Sequence, residues 1–204
     1  KSNYKVTMMV ESKHKHSTSI LIVNYTFGIS GILAVKQSLK IEQNELPELP
    51  RFGMILTLPV DFDQLNWFGR GPHESYADRK TSAAFGHYSG SVWEQNFPYI
   101  RPQETGHKTD LRWMALSNDK IGLLATAENL MEGSVHQYPY SDLDYIPNSQ
   151  KHGKLDIRPK NQVDWLIDYS QMGVGGDNSW GALPHDQYQL PAQNYEFSFK
   201  LIPF

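Results

Sequence analysis

The chain has 204 residues, a formal net charge of −3 and no cysteine. Its 19 Lys and Arg residues do not outnumber its 22 Asp and Glu residues, and its apolar runs are too short to cross a bilayer, so neither nucleic acid nor a membrane is an expected partner. The absence of cysteine excludes a disulfide framework, a thiolate nucleophile and a thiolate metal site, and it leaves the compartment open.

Alternating apolar and polar residues predict half-buried strands along most of the chain. The predicted strands, in chain order, are residues 4–10, 19–27, 32–41, 52–58, 109–116, 121–127, 134–138, 163–169 and 195–201. In the last of these, Phe197 and Phe199 should face the core, while Glu196 and Ser198 face the other way. Apart from one short helical turn at residues 141–144, the helical period is absent. The pattern therefore predicts an all-β antiparallel sandwich or barrel in a single domain, 1–204.

The segment 65–79 is too dense in glycine, aromatic and charged residues to be predicted as an ordinary strand and turn. We interpret it as a structural corner, in which glycine and proline turn the backbone and Glu74, Asp78 and Arg79 pair. The alternative is a catalytic carboxylate pair formed by Glu74 and Asp78. Neighbouring arginines would lower the pKa of both groups and leave no acid with a raised pKa. The residues assigned to the structural motif are Trp67, Gly71, Pro72, Glu74, Tyr76, Asp78 and Arg79.

A second polar cluster, residues 98–113, leads directly into a predicted strand. Its side chains could line a polar groove, or they could satisfy backbone groups at the edge of the sandwich. The sequence alone leaves both alternatives open.

A third segment, residues 172–181, contains four glycines and Trp180. No lysine or helix pattern follows the glycines, so nucleotide binding is not expected. The glycines let the backbone approach a neighbour closely and present Trp180 on a loop, where the indole could stack on a sugar while Asp177 or Asn178 binds hydroxyl groups. A tryptophan that fills the core beneath the loop is the alternative.

No metal site is predicted. The eight histidines do not form a helical zinc motif, and the Asp61/Asp63 and Asp142/Asp144 pairs lack the glycine and the distal glutamate of a helical calcium loop. No residue of the chain is assigned as catalytic.

Four segments, taken in order, carry a resemblance to a known family. They are WFGRGPHESYADR at residues 67–79, PYIRPQETG at 98–106, TDLRW at 109–113 and GVGGDNSW at 173–180. With the closing strand, they resemble the carboxy-terminal small-chain domain of the long β-galactosidases of glycoside hydrolase family two. The resemblance runs from about residue 4 to the end of the chain.

The resemblance implies a galactose-mutarotase-like supersandwich, a two-sheet antiparallel fold whose first strands would precede this chain. It also implies a larger retaining enzyme that hydrolyses terminal β-D-galactosides such as lactose. The catalytic glutamates would lie on a separate (β/α)₈ barrel, leaving this chain inactive alone. The sandwich would lend Trp180 to the galactose subsite. Galactoside and the barrel domain are thus the implied partners. Enzymes of this family commonly use Mg and monovalent cations and form homo-oligomers.

Two other functions compete with this interpretation. The chain could be an autonomous carbohydrate-binding module, or a sugar epimerase that uses His73 or His185 with Glu74 or Glu104 as acid and base. Fold resemblance to mutarotases does not by itself transfer their activity.

Overall fold

A computed structural model describes residues 4–13, 18–42, 46–100, 102–143, 157–178 and 180–204. These residues form β-strands joined by turns and three short 3-10 turns, so the predicted all-β class is confirmed. None of the described segments is a helix of the length and apolarity that spanning a membrane requires.

The ten strands recover most of the predicted positions. They are β1 (Tyr4–Lys13), β2 (Thr18–Phe27), β3 (Leu33–Ile41), β4 (Arg51–Pro59), β5 (Gln64–Gly71), β6 (Ala84–Ser91), β7 (Lys108–Ser117), β8 (Gly122–His136), β9 (Gln162–Gln171) and β10 (Tyr195–Pro203). The short helical turn predicted at residues 141–144 is a 3-10 turn at Tyr140–Leu143, and Asp144 lies outside the described residues.

All strand pairs are antiparallel, and hydrogen bonds join the strands into one branched sheet. Its main path is β1-β2-β3-β10-β8-β7-β5-β6, and the branch is β9 followed by β4. The branch arises on the long strand β8, whose first half pairs with β10 and whose second half pairs with β9. The mutarotase-like two-sheet supersandwich stays a prediction.

Aromatic side chains pack the β4–β9 branch against β10. The rings of Phe52 and Tyr195 lie 5.7 Å apart, and those of Tyr169 and Phe197 lie 6.1 Å apart. Phe197 and Phe199 are 5% and 2% exposed, whereas Glu196 and Ser198 are exposed, which confirms the predicted facing of the last strand. Burying one such phenylalanine stabilises the fold by about 1.5 to 3 kcal/mol.

The predicted positions omit β5 and β6 and divide β8 into two strands. Residues 64–71 form β5 and pair with β6, which was not predicted either. Glycine suits position 69 of this strand, because the Cβ of any other residue would lie 2.7 Å from the Leu111 side chain, where β7 is bulged. The segments 121–127 and 134–138 were predicted as separate strands, but β8 is continuous from residue 122 to residue 136.

Strand β1 is not half-buried as its alternation predicted. Tyr4, Val6, Met8 and Val10 are all exposed, with Tyr4 at 75%. Among the described residues, this strand pairs with β2 alone, and residues 4–10 are exposed on both of its faces. Alternation identified a strand correctly, but it could not tell whether a second layer covers it.

Candidate functional site

The corner, residues 65–79, folds around two buried rings. Trp67 and Tyr76 are each 1% exposed, and the Trp67 indole donates a hydrogen bond to the Arg70 carbonyl at 2.9 Å. The Gly71–Pro72 peptide is cis, and a Cβ at Gly71 would lie 2.7 Å from the ring of Tyr88. Small residues therefore let the backbone turn tightly over the aromatic core.

Glu74 is the polar centre of the corner. Its carboxylate accepts hydrogen bonds from the Tyr99 hydroxyl, the Arg79 guanidinium, the Thr105 hydroxyl at 3.1 Å and the Gly106 amide at 2.8 Å. Burial raises the pKa of Glu74, but these donors outweigh it and hold the pKa below its ordinary value. The predicted Glu74–Arg79 pair is confirmed, and a carboxylate in this state is a poor general acid.

Asp78 does not join that pair, so the prediction that it pairs with Arg79 is wrong. Among the described residues, its hydrogen-bond donor is the Gly175 amide, 2.7 Å from Asp78 Oδ2. A Cβ at Gly173 would lie 2.6 Å from the same oxygen. Asp78 thus reaches from the corner to a segment 97 residues away, a contact that local spacing could not reveal.

The glycine loop, residues 172–181, is held mainly through its backbone. The Gly173 amide donates to the Tyr188 carbonyl at 2.8 Å. A Cβ at Gly176 would lie 2.0 Å from the Ala182 carbonyl oxygen, and Gly181 has a φ of +92°. The predicted use of glycine for close backbone approach is confirmed at Gly173 and Gly176.

Trp180 lies on this loop with 93% of its surface exposed, so the alternative of a core tryptophan is wrong. Its amide donates to Asn178 Oδ1 at 2.8 Å, and His185 Nε2 lies 2.8 Å from Asp177 Oδ1. Asp177 and Asn178 are also exposed. The three residues predicted to bind sugar therefore lie together on the surface, and their binding role stays a prediction.

A cleft of ≈ 810 Å³ lies between the corner and the glycine loop. Its polar lining includes Arg51, Asp78, Arg79, Tyr99, Gln103, Glu104, Tyr140, Gln171, Asp177 and His185. The 98–113 cluster takes both roles that the sequence left open. Gln103 and Glu104 line the cleft, whereas the Thr105 hydroxyl accepts a hydrogen bond from the Phe97 amide at 2.9 Å.

Arg51, which lines the cleft, contacts several polar side chains around it. Its guanidinium contacts Glu104 Oε2 at 3.1 Å and Asp168 Oδ2 at 3.6 Å, and it donates to the Gln171 side chain. The Tyr140 hydroxyl also donates to Glu104. This network joins the first residue of β4 to the end of β9, where the glycine loop begins.

Asp168 is fully buried at the root of the glycine loop. Neither of its carboxylate oxygens has a hydrogen-bond donor in the described part of the chain. Burial raises the pKa of Asp168 to about 6, although Arg51 partly opposes the shift. Among the described residues, no three His, Asp or Glu side chains converge as ligands for a metal ion.

The family model described as beta galactosidase small chain matches residues 1–201. The chain belongs to the β-galactosidase small-chain family. The resemblance predicted from the four motifs is therefore confirmed.

Similar full-length proteins are several times longer than this small-chain region. A β-galactosidase of Priestia megaterium is 39% identical over 97% of this chain and 19% of its own length. One of Vibrio cholerae is 32% identical over 98% of this chain and 19% of its own length. BgaC, a β-galactosidase of Bifidobacterium adolescentis, is 33% identical over 83% of this chain and 16% of its own length. The chain spans about a fifth of the length of these relatives.

Sequence reasoning missed three residues that line the cleft, Arg51, Tyr140 and Gln171, and the buried Asp168 that contacts Arg51. Asp168 gave no local signal, because the alternation of residues 163–169 places it at a polar position of a half-buried strand. Its burial follows from the strands that cover β9, and a buried ionisable group requires a polar partner such as Arg51.

Proposed function

We propose that this chain is the carboxy-terminal sandwich part of a β-galactosidase that hydrolyses terminal β-D-galactosides such as lactose, and that Trp180 forms one wall of the sugar subsite. The observation that carries the proposal is an indole 93% exposed on an anchored loop, in a chain of the β-galactosidase small-chain family. Such exposure leaves a large apolar surface in water, which a ligand could cover.

The sugar contact rests on complementary surfaces. The indole offers a flat apolar face that suits the C–H face of a galactose ring. Asp177 and Asn178 each have one side-chain oxygen engaged within the protein. We propose that the other carboxylate oxygen of Asp177 and the amide nitrogen of Asn178 bind sugar hydroxyls.

The chemistry is proposed to lie elsewhere in the full-length protein. A retaining glycosidase needs one carboxylic acid with a raised pKa and one carboxylate nucleophile. Glu74 has a lowered pKa and is fixed by its donors, and Asp78 holds the glycine loop. We therefore propose catalytic glutamates on a barrel domain and an inactive isolated chain. Use of Mg and monovalent cations, and a homo-oligomeric parent, complete the proposal.

An autonomous carbohydrate-binding module is the second candidate, because an exposed tryptophan could bind sugar without a barrel. The geometry gives less support to an epimerase. His73 contacts the Ser82 hydroxyl at 3.1 Å and His185 contacts Asp177, so neither histidine has Glu74 or Glu104 as its described hydrogen-bond partner.

Assays of the isolated chain separate these functions, once circular dichroism has established that it is folded. Hydrolysis of a chromogenic galactoside is measured beside galactose binding, which is followed by tryptophan fluorescence. We expect the isolated chain to show no hydrolysis and no galactose binding, because it would form one wall of a shared subsite. Binding without hydrolysis would favour the autonomous module, and hydrolysis would contradict the proposed division of labour.

A further inference from the structure

We infer that Asp78 is a positioning residue that places the Trp180 loop for galactoside binding. This inference rests on the proposed function, and it assigns the corner a purpose beyond its own stability. The corner would hold the binding loop in place through the contact between Asp78 and Gly175.

Asp78 is presented by a rigid turn. The amide of Tyr76 donates to the Arg79 carbonyl at 3.1 Å, and the amide of Arg79 donates to the Tyr76 carbonyl at 2.9 Å, so Ala77 and Asp78 occupy the tip. The buried Tyr76 ring stacks on His107 at 5.5 Å, and the Arg79 guanidinium lies 5.0 Å from the centre of the Tyr76 ring. These contacts of Tyr76 and Arg79 hold in place the turn that carries Asp78.

The carboxylate is committed to the glycine loop. Its Oδ2 accepts the Gly175 amide at 2.7 Å, a length typical of a hydrogen bond to a charged acceptor. A Cβ at Gly173 would lie 2.6 Å from Oδ2 and 2.7 Å from the carboxylate carbon. The loop backbone therefore lies directly against Asp78, and glycine at position 173 is what permits this approach.

The position of Trp180 depends on its backbone. Because the ring is almost fully exposed, packing of the indole cannot fix its place. Short-range contacts connect the anchored Gly175 to it: Gly176 lies against Ala182, Asp177 contacts His185 and Asn178 binds the Trp180 amide. Displacement of the loop at Gly175 is thus passed directly to the sugar-binding residues.

The test uses the full-length enzyme and a chromogenic galactoside. Asp78→Ala should raise KM on the order of tenfold, the effect of losing one hydrogen bond to a charged acceptor, with a smaller change in kcat. Asp78→Asn keeps an oxygen acceptor for the Gly175 amide and should restore most of the affinity. Asp61→Ala is the matched control, since Asp61 also accepts one surface hydrogen bond, from Asn118 at 2.8 Å, but lies outside the cleft lining.

A double-mutant cycle with Trp180→Ala distinguishes positioning from general damage. We expect Asp78→Ala to raise the KM of the Trp180→Ala enzyme less than it raises that of the wild type, because only Asp177 and Asn178 then remain to be displaced. Hydrogen exchange at the Gly175 amide should accelerate. The inference would be overturned if Asp78→Ala raised KM equally in the presence and absence of Trp180. It would also be overturned if Asp78→Ala left KM unchanged while Trp180→Ala raised it. Both results would leave the proposed function standing. If Trp180→Ala leaves KM unchanged, the proposed function fails, and unchanged exchange at Gly175 would refute the anchor independently.

Discussion

The corner and the glycine loop lie on either side of one cleft, but they are built in opposite ways. In the corner, Trp67 and Tyr76 are buried and the Glu74 carboxylate is surrounded by donors. In the loop, Trp180 is exposed and the segment is held largely through backbone amides. The denser motif is therefore the more firmly packed of the two, and the surface that we propose for sugar binding belongs to the sparser segment beside it.

The carboxylates of Glu74 and Asp168 also differ in hydrogen bonding and in the direction of their pKa shifts. Glu74 is half-buried, and its donors keep the pKa low. Asp168, at the root of the loop, is fully buried without a hydrogen-bond donor among the described residues, and its pKa is raised to about 6. Ionisation of Glu74 should stabilise the fold, whereas ionisation of Asp168 should cost stability.

The largest effect is expected at the corner. Glu74→Ala should lower the free energy of unfolding by about 3 kcal/mol, because several donors lose one shared acceptor. Turnover per folded molecule of the full-length enzyme should change little. Urea unfolding and active-site-normalised kinetics measure the two quantities, with the exposed Glu128→Ala variant as control. A variant of unchanged stability that has lost turnover would show that the corner is catalytic.

The next effect concerns pH and Asp168. Its pKa rises from an ordinary 3.8 to about 6 on folding, so its contribution to stability is complete below about pH 4 and is lost as the pH rises through about 6. Two pKa units correspond to about 3 kcal/mol. Asp168→Asn should remove this loss, so its stability relative to the wild type should increase from pH 4 to pH 7. Parallel pH profiles in urea unfolding would contradict this.

Glu74 should show the opposite and smaller pH dependence. Its pKa is lowered from an ordinary 4.5, so its stabilisation is present above about pH 4.5 and is lost as the pH falls through the lower folded value. Glu74→Gln should therefore reduce the loss of stability upon acidification. Thermal unfolding between pH 3 and pH 7 measures this, and an unchanged acid limb would count against the hydrogen-bonding account.

A smaller change is expected where the loop meets the corner. Gly173→Ala places a methyl group 2.6 Å from Asp78, so the loop must shift at a cost of about 1 kcal/mol. Gly175→Ala is the comparison variant, since it keeps the amide that binds Asp78 and its Cβ would lie 3.3 Å from Asp78 Oδ2. KM for a galactoside should rise more in the first variant than in the second. Equal KM values would indicate that this contact does not place the loop.

Local sequence signals predicted most strands but not how the site is assembled. Alternation identified β10 and its buried Phe197, since both depend on neighbouring residues alone. It failed for β5, where glycines fit against a bulged neighbour, and for the burial of β1, which depends on what covers the strand. The Asp78 contact joins residues 97 positions apart, which no local spacing encodes.

The central claim is that Trp180 contacts the sugar, and the most direct test is the kinetics of Trp180→Ala in the full-length enzyme. Aromatic stacking contributes on the order of 1 kcal/mol beyond area burial, so KM for a galactoside should rise more than several-fold. Any loss in kcat should reflect misplacement of the sugar. Trp180→Phe should recover part of the affinity. Unaltered kinetics of the alanine variant on galactosides would contradict the assignment.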